Sequence, residues 1–209
     1  MQTIIYLTRH GQTKWNLEKR LQGRGNSPLT NLGIKGAEEL RDRIKDVKLD
    51  YIYSSPIDRA LITANIVKGN HNLDVIIEEG FMEMSFGDYE GLKTEEIYIE
   101  NPEFNMELIM KGNIDICAPK GETFAQVRER VKRTMDRIIG ENKGKTILIV
   151  THGMTLKALM YYFQDKDVSE EVMGQDTLTK ISVDENNIFK IEFKNDSSHL
   201  KIQKNKQGW

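Results

Sequence analysis

The chain has 209 residues, of which 38% are hydrophobic and 30% are charged, with a net charge of -2 at pH 7 and an isoelectric point near 6.1. These values predict a soluble globular domain and exclude a disordered chain, while the near-neutral charge argues against a nucleic-acid partner. The single cysteine, Cys117, excludes an internal disulfide and a thiolate zinc cluster. The sequence has neither a membrane-spanning apolar run nor a signal-peptide pattern at its N-terminus, so we expect a cytoplasmic protein without a membrane partner.

Four short apolar segments predict buried strands. They are residues 3–8 (TIIYLT), 49–55 (LDYIYSS), 73–77 (LDVII) and 145–152 (KTILIVTH). Each is almost continuously apolar, which is typical of parallel strands that are covered on both faces. These segments therefore predict a mostly parallel sheet enclosed between helices.

Helical periodicity fills the intervals between the strands. The first helix follows Thr30, a predicted N-cap, and the second is predicted to begin with Ser55 as N-cap and Pro56 in its first turn. Apolar residues at three- and four-residue spacing mark the buried face of each helix. They are Leu40, Ile44 and Val47 in the first helix, Ala60, Ala64 and Val67 in the second, Phe124, Val127, Val131 and Ile138 in the third, and Leu156, Leu159, Met160 and Phe163 in the fourth.

The C-terminal region predicts an antiparallel hairpin at the sheet edge. Residues 178–194 alternate between apolar and polar side chains, and they turn at 185–187. A polar tail follows at about 201–209. We therefore predict one three-layer α/β/α domain over residues 1–209.

Two histidines directly follow predicted strands. His10 comes after the first strand and His152 after the fourth, and each is followed by a glycine, in RHG and THG. Sites in open α/β sheets form beyond the carboxyl ends of the strands, and glycine allows close approach of the backbone. The helix that begins near Gly153 is expected to point its N–H groups at an anion there.

Arginines strengthen the prediction of an anion site. Arg59 lies in the first turn of its helix, where the macrodipole disfavours a cation, so we expect it to reach over the strand end towards an anion. Arg9 supplies a second cation. The loop at 15–30 carries Asn16, Gln22 and Gly23, which are predicted to surround the same anion with neutral donors.

Two arginines, two histidines and a helix N-terminus predict a phosphate site, because arginine binds phosphate through paired hydrogen bonds. No acidic cluster or zinc-ligand spacing accompanies these histidines, so we expect neither metal nor cofactor. His10 is the predicted nucleophile that forms a phosphohistidine. Arg9, Arg59 and His152 would neutralise the phosphoryl oxygens. Glu83, among apolar neighbours, is the predicted proton donor, with Glu79 and Glu90 as the rivals.

Five ordered motifs resemble those of the histidine phosphatase superfamily, in its phosphoglycerate mutase-like branch and most like its short bacterial phosphatases. They are LTRHGQTKWN, RLQGRGNSPLTNLGIKGA, YIYSSPIDRALITA, MEMSFGDYEG and ILIVTHGMTLKAL. The resemblance implies a six-stranded, mostly parallel sheet and a phosphorylated His10. It also implies a phosphate pocket of Arg9, Arg59 and His152, a further contact from Asn16, and Glu83 as proton donor.

Within this family we favour a phosphatase over a mutase. Mutases of this kind carry an arginine pair for the substrate carboxylate in a longer insertion, whereas no arginine occurs here between Arg59 and Arg128. Residues at about 92–120 are predicted to form a small cap of short helices. The predicted function is metal-independent hydrolysis of a small phosphorylated metabolite by a monomer or homodimer. The alternatives are a cofactor-dependent phosphoglycerate mutase, a non-catalytic phospho-ligand binder and a metallohydrolase that uses His10, His71, His152 and His199.

Overall fold

The computed structural model describes residues 2–111, 114–163 and 173–201. Its strands are β1 (Thr3–Arg9), β2 (Tyr51–Ser54), β3 (Val75–Ile77), β4 (Thr146–Thr151), β5 (Leu178–Val183) and β6 (Phe189–Asp196). They form one six-stranded sheet in the order β3-β2-β4-β1-β5-β6. Strands β1 to β4 pair in parallel, and β5 and β6 form an antiparallel hairpin against β1. The predicted mostly parallel sheet with an edge hairpin is confirmed.

Helices cover both faces of this sheet. They are α1 (Lys14–Leu17), α2 (Asn31–Ile44), α3 (Asp58–Lys68), α4 (Thr94–Glu100), α5 (Met106–Met110), α6 (Phe124–Glu141) and α7 (Gly153–Tyr162). Successive side chains of β4 point to opposite faces, so Ile147 and Ile149 join the core under α6 and α7. Leu148 and Val150 join the core under α2 and α3. The three-layer α/β/α architecture is confirmed.

Helix α6 is the longest helix of the described residues, and its sequence accounts for its position. Thr123 caps it with a capping box that involves Gln126. Beyond the cap, its apolar residues recur at helical spacing and bury one face of the helix. The remaining positions carry most of its charged residues, Arg130 among them.

The structure corrects two predictions about local elements. Strand β3 is an edge strand whose Ile76 and Ile77 are 37% and 56% exposed, so it is not covered on both faces. Helix α3 begins at Asp58 with Ile57 as its N-cap, and it has no side-chain cap. The Ser55 hydroxyl instead accepts a hydrogen bond from the Ile57 N–H, because Ser55 lies before the helix, at the carboxyl end of β2.

Short helices α4 and α5 lie within the predicted cap at about 92–120, of which residues 112–113 are outside the described residues. The cap is attached to the body by aromatic contacts, since the Phe104 ring meets Tyr89 and Phe86 at centroid distances of 5.0 and 6.5 Å. The tail predicted at about 201–209 falls outside the described residues from 202 onwards. Within the described ranges, no helix has the length and apolarity needed to cross a bilayer.

Candidate active site

A small cavity of about 20 Å³ lies at the carboxyl ends of β1 and β4. It is lined by Arg9, His10, Leu21, Gln22, Gly23, Arg59, Glu83, Phe86, Met106, Gly153 and Met154. The strand ends, the 15–30 loop, the start of α3 and the start of α7 thus meet where the sequence predicts a site. The enclosed volume admits about one water molecule, and Met106 of α5 forms part of its apolar wall.

The hydrogen-bond partners of its two ring nitrogens hold His10 in one tautomer. Its Nδ1 lies 2.7 Å from the carbonyl oxygen of Gly11, which can only accept a hydrogen bond. Its Nε2 lies 3.1 Å from the Nε of Arg59, whose N–H can only donate. The hydrogen therefore sits on Nδ1, and Nε2 presents a lone pair, as a nucleophile requires.

Arg59 is fixed by two further hydrogen bonds. Its Nη1 donates to the Gly25 carbonyl at 2.7 Å, and its Nη2 donates to the Gly23 carbonyl at 2.5 Å. Burial lowers the pKa of Arg59 to about 10, so the guanidinium stays charged at neutral pH. Gly23 adopts a φ of +52°, and a side chain there would overlap the Glu90 carboxylate, which explains why glycine occupies this turn.

Arg9 brings a second buried cation to the cavity. Its Nη1 donates to the Met173 carbonyl at 3.3 Å, and its guanidinium lies beside Gly153, where an added Cβ would be 3.5 Å away. Burial lowers the pKa of Arg9, and the negative charges of Glu83 and Asp176 oppose that shift. The structure therefore places two cations at the end of β1, as the sequence predicts.

The fully buried His152 ring packs against His10, with ring centroids 5.1 Å apart, but His152 is not among the residues that line the cavity. Its Nε2 lies 2.8 Å from the Ser55 hydroxyl. A hydroxyl can donate one hydrogen bond and accept two, so the Ser55 hydroxyl, which accepts the Ile57 N–H, can either donate to Nε2 or accept from it. The His152 Nδ1 is buried without a hydrogen-bond partner among the described residues. Burial, followed by the positive charge of Arg59, holds the pKa of His152 well below its ordinary range, so the ring is neutral at pH 7.

A neutral buried His152 should make folding pH-dependent. The unfolded chain protonates this histidine near pH 6.5, whereas the folded chain does so only at a much lower pH, so stability falls as the pH drops below about 6.5. Compared with His152→Gln, the wild type should lose up to about 2 kcal/mol of unfolding free energy between pH 6.5 and 5. Urea unfolding at several pH values measures this difference. If the unfolding free energies of the two proteins changed equally with pH, the prediction would be wrong.

Glu83 is buried against the first turn of α7. Its Oε1 accepts the N–H groups of Met84 and Thr155 at 2.9 and 3.2 Å, and its Oε2 accepts the Met154 N–H at 3.2 Å. The helix N–H groups that we predicted would face an anion are thus partly used by Glu83. The rivals lie elsewhere: Glu79 is exposed, and neither Glu79 nor Glu90 is among the residues that line the cavity.

The remaining predicted contacts take different positions. Gln22, Gly23 and Gly153 line the cavity, with the Gly23 carbonyl holding Arg59. Asn16 is buried nearby, and the Thr13 hydroxyl lies 2.9 Å from the side-chain oxygens of both Asn16 and Gln22. This arrangement orients both carboxamides, and their binding roles stay predictions.

Gly11, His71 and His199 lie outside the cavity lining, as does His152. A side chain at Gly11 would overlap the Gly33 carbonyl of α2. This glycine therefore allows the backbones at Gly11 and Gly33 to pack closely, and not, as predicted, a ligand to approach. His199 lies 2.8 Å from the Asp176 carbonyl, and neither His199 nor His71 lines the cavity. Within the described ranges no group of three or more His, Cys, Asp or Glu side chains is arranged to hold a metal ion.

The family model for the histidine phosphatase superfamily, branch 1, matches residues 5–202. The chain belongs to the histidine phosphatase superfamily. Its similarity to "Probable phosphoglycerate mutase GpmB" of Escherichia coli O1:K1 / APEC extends over 156 residues at 31% identity, covering 75% of this chain and 72% of that protein. The predicted family membership is therefore confirmed.

Solved structures of the superfamily share the fold over nearly the whole chain. Bacillus stearothermophilus YhfR superposes with a TM-score of 0.88 at 36% identity, covering 95% of this chain and all of that one. A phosphoserine phosphatase from Entamoeba histolytica, solved with 3-phosphoglyceric acid, superposes with a TM-score of 0.80 at 29% identity, covering 95% and 99%. These relatives carry the names of both mutases and phosphatases, so membership of the superfamily does not choose between the two reactions.

Proposed function

We propose that this histidine phosphatase superfamily member is a metal-independent phosphomonoester phosphatase that acts through a phosphohistidine at His10. The observation that carries the proposal is the lone pair on His10 Nε2, which is fixed by the Gly11 carbonyl on one side and the Arg59 Nε–H on the other. A cationic pocket around a neutral imidazole suits attack on a phosphorus atom, because phosphoryl transfer depends mainly on positioning and charge stabilisation.

In the first step, the Arg59 Nε–H moves from His10 Nε2 to a phosphoryl oxygen, and the freed lone pair of Nε2 attacks phosphorus while the bond between phosphorus and the alcohol oxygen breaks. Arg9 and Arg59 stabilise the charge on the phosphoryl oxygens, and His152 donates to them from Nδ1 while its Nε2 accepts from the Ser55 hydroxyl. Glu83 acts as the general acid and gives its proton to the leaving alcohol. The products of this step are the free alcohol, the Glu83 carboxylate and phosphohistidine.

In the second step, water replaces the alcohol and attacks phosphorus in line with His10. The Glu83 carboxylate accepts a proton from this water, and the bond between phosphorus and Nε2 breaks. Phosphate leaves, and His10 recovers its lone pair on Nε2 with the hydrogen still on Nδ1. The same carboxyl thus serves as acid and then as base.

The cavity lining favours a leaving group without a further negative charge. Leu21, Phe86, Met106 and Met154 make up its apolar side. The cations that line it, among the described residues, are Arg9 and Arg59, and both are committed to the phosphoryl group in this proposal. We therefore favour small phosphomonoesters with a neutral, partly apolar alcohol. The mutase alternative is supported by the similarity to the relative named a probable phosphoglycerate mutase.

The proposal is tested by measuring phosphate release in EDTA from a panel of phosphomonoesters. The panel holds p-nitrophenyl phosphate, 2-glycerol phosphate, phosphoserine, α-ribazole phosphate, nucleotides and 3-phosphoglycerate with its bisphosphate primer. We expect metal-free release that is fastest for compounds with an uncharged leaving group. Interconversion of 2- and 3-phosphoglycerate with little release would instead establish a mutase. Binding of phosphate ligands without turnover would establish a binder, and activity that EDTA removes would establish a metallohydrolase.

A further inference from the structure

Arg130 of α6 lies behind the loop that carries Glu83. Its Nη1 donates to the Gly80 carbonyl at 2.9 Å, and its Nη2 donates to the Glu83 carbonyl at 3.1 Å. One guanidinium therefore holds two carbonyls of this loop, and one of them belongs to Glu83 itself. The planar guanidinium presents its donors in a fixed geometry, so Arg130 constrains the backbone conformation of the loop.

Glu122 completes the arrangement from the residues that precede α6. Its two carboxylate oxygens lie 3.1 and 3.2 Å from Arg130 Nε and Nη2, and its Oε2 accepts the Ser85 N–H at 3.0 Å. Burial opposes the negative charge of Glu122, but the hydrogen bond and charge of Arg130 outweigh it, and the pKa of Glu122 lies below its ordinary value. Glu122 is therefore ionised at neutral pH. We call Arg130 and Glu122 the loop clamp.

The loop clamp binds the backbone on both sides of Glu83 without reaching the cavity. Its side chains are 13% and 18% exposed, and neither residue lines the cavity. The Glu83 carboxyl accepts hydrogen bonds from the N–H groups of Met154 and Thr155 on α7, which belongs to a different part of the chain. The loop clamp holds the backbone of Glu83 at the position from which its side chain makes these bonds.

Glu122 also connects the clamp to the loop that holds Arg59. Arg24 Nη2 lies 3.0 Å from Glu122 Oε1, and the flanking carbonyls of Gly23 and Gly25 accept from Arg59. The ion pair thus joins the two segments that present the proton donor and the phosphate-binding arginine.

We propose that Arg130 and Glu122 are positioning residues that hold the Glu83 carboxyl in its proton-transfer geometry. The inference rests on the proposed function, in which Glu83 protonates the leaving alcohol. Loss of the clamp should displace Glu83 and weaken protonation, while nucleophilic attack by His10 should persist. Poor leaving groups should then suffer more than good ones, because only an alkoxide needs the proton.

The experiment compares 2-glycerol phosphate, which has a poor leaving group, with p-nitrophenyl phosphate, which has a good one. Variants Arg130→Met, Arg130→Lys and Glu122→Gln are measured beside Glu83→Gln, and Arg133→Met is the control because Arg133 is an exposed arginine on the same helix. For Arg130→Met we expect kcat/KM, which reports the steps up to phosphohistidine formation, to fall roughly 10- to 100-fold for 2-glycerol phosphate and about threefold or less for p-nitrophenyl phosphate. Arg130→Lys should be intermediate, and Arg133→Met should match the wild type.

The outcomes separate this inference from the proposed function. Equal losses on both substrates in the clamp variants, with a selective loss in Glu83→Gln, would overturn the positioning role and leave the acid role of Glu83 intact. Equal losses in Glu83→Gln as well would overturn both. If Arg130→Met does not fold in a thermal unfolding measurement, Glu122→Gln keeps a hydrogen-bonding side chain of the same size and decides the question by the same ratio.

Discussion

Replacing His10 with alanine is expected to abolish phosphate release. The Gly11 carbonyl and the Arg59 Nε–H orient the imidazole so that its Nε2 carries a lone pair. Alanine has no atom that can attack phosphorus. Loss of a covalent nucleophile lowers kcat by about 10⁴-fold or more. The measurement is steady-state phosphate release from the best substrate of the panel, with and without EDTA.

A second readout follows the covalent intermediate itself. Wild-type protein quenched during turnover should carry one phosphoryl group that is stable in alkali and labile in acid, and His10→Ala should carry none. His71→Ala is the matched control, because His71 follows α3 and does not line the cavity. Turnover by His10→Ala within tenfold of the wild type would rule out the phosphohistidine mechanism.

Changing Glu83 to glutamine is expected to have a large effect that depends on the leaving group. Glutamine retains a side-chain oxygen that can accept from the N–H groups of Met84 and Thr155, but it cannot deliver a proton. For 2-glycerol phosphate, loss of the general acid should reduce kcat/KM, which reports the steps up to phosphohistidine formation, by about 10²- to 10⁴-fold. For p-nitrophenyl phosphate the reduction in kcat/KM should be much smaller, because nitrophenolate leaves without protonation.

The Glu83→Gln measurement needs a control for changes in the first turn of α7. Glu79→Gln alters an exposed carboxyl of the same loop and should leave both substrates unaffected. The slope of log kcat/KM against the pKa of the leaving alcohol, taken over several aryl and alkyl phosphates, should be steeper for Glu83→Gln than for the wild type. Identical slopes would remove Glu83 from its role as acid.

Much of the fold could be predicted because local rules and burial agree. Thr30 caps α2 as predicted, with its side chain accepting the Gly33 N–H. The continuous apolarity of 145–152 correctly identified a strand at the centre of the sheet. The segment 73–77 has a similar composition but forms an edge strand, since composition alone does not say which strands become neighbours.

Ser55 shows where local reasoning fails near a site. Its position before Pro56 satisfies the rules for an N-cap, yet its hydroxyl contacts His152, a residue 97 positions away. The hydroxyl accepts the Ile57 N–H at the same time, and its contact with His152 gives a buried imidazole nitrogen a partner. The roles of Arg130 and Glu122 were not predicted. In the sequence, Arg130 on α6 and Glu122 just before it resemble the ordinary charged residues of an exposed helix face.

The order of the motifs along the chain is enough to identify the family, the three-layer architecture and the residues expected at the strand ends. Strand ends, helix starts and paired RHG and THG segments depend on short-range order along the chain, so they can be recognised without coordinates. The tautomer of His10, the neutral state of His152 and the residues that hold Glu83 could be found only from the folded chain. Those properties depend on hydrogen bonds, burial and charge between segments far apart in sequence, and such contacts exist only once the chain has folded.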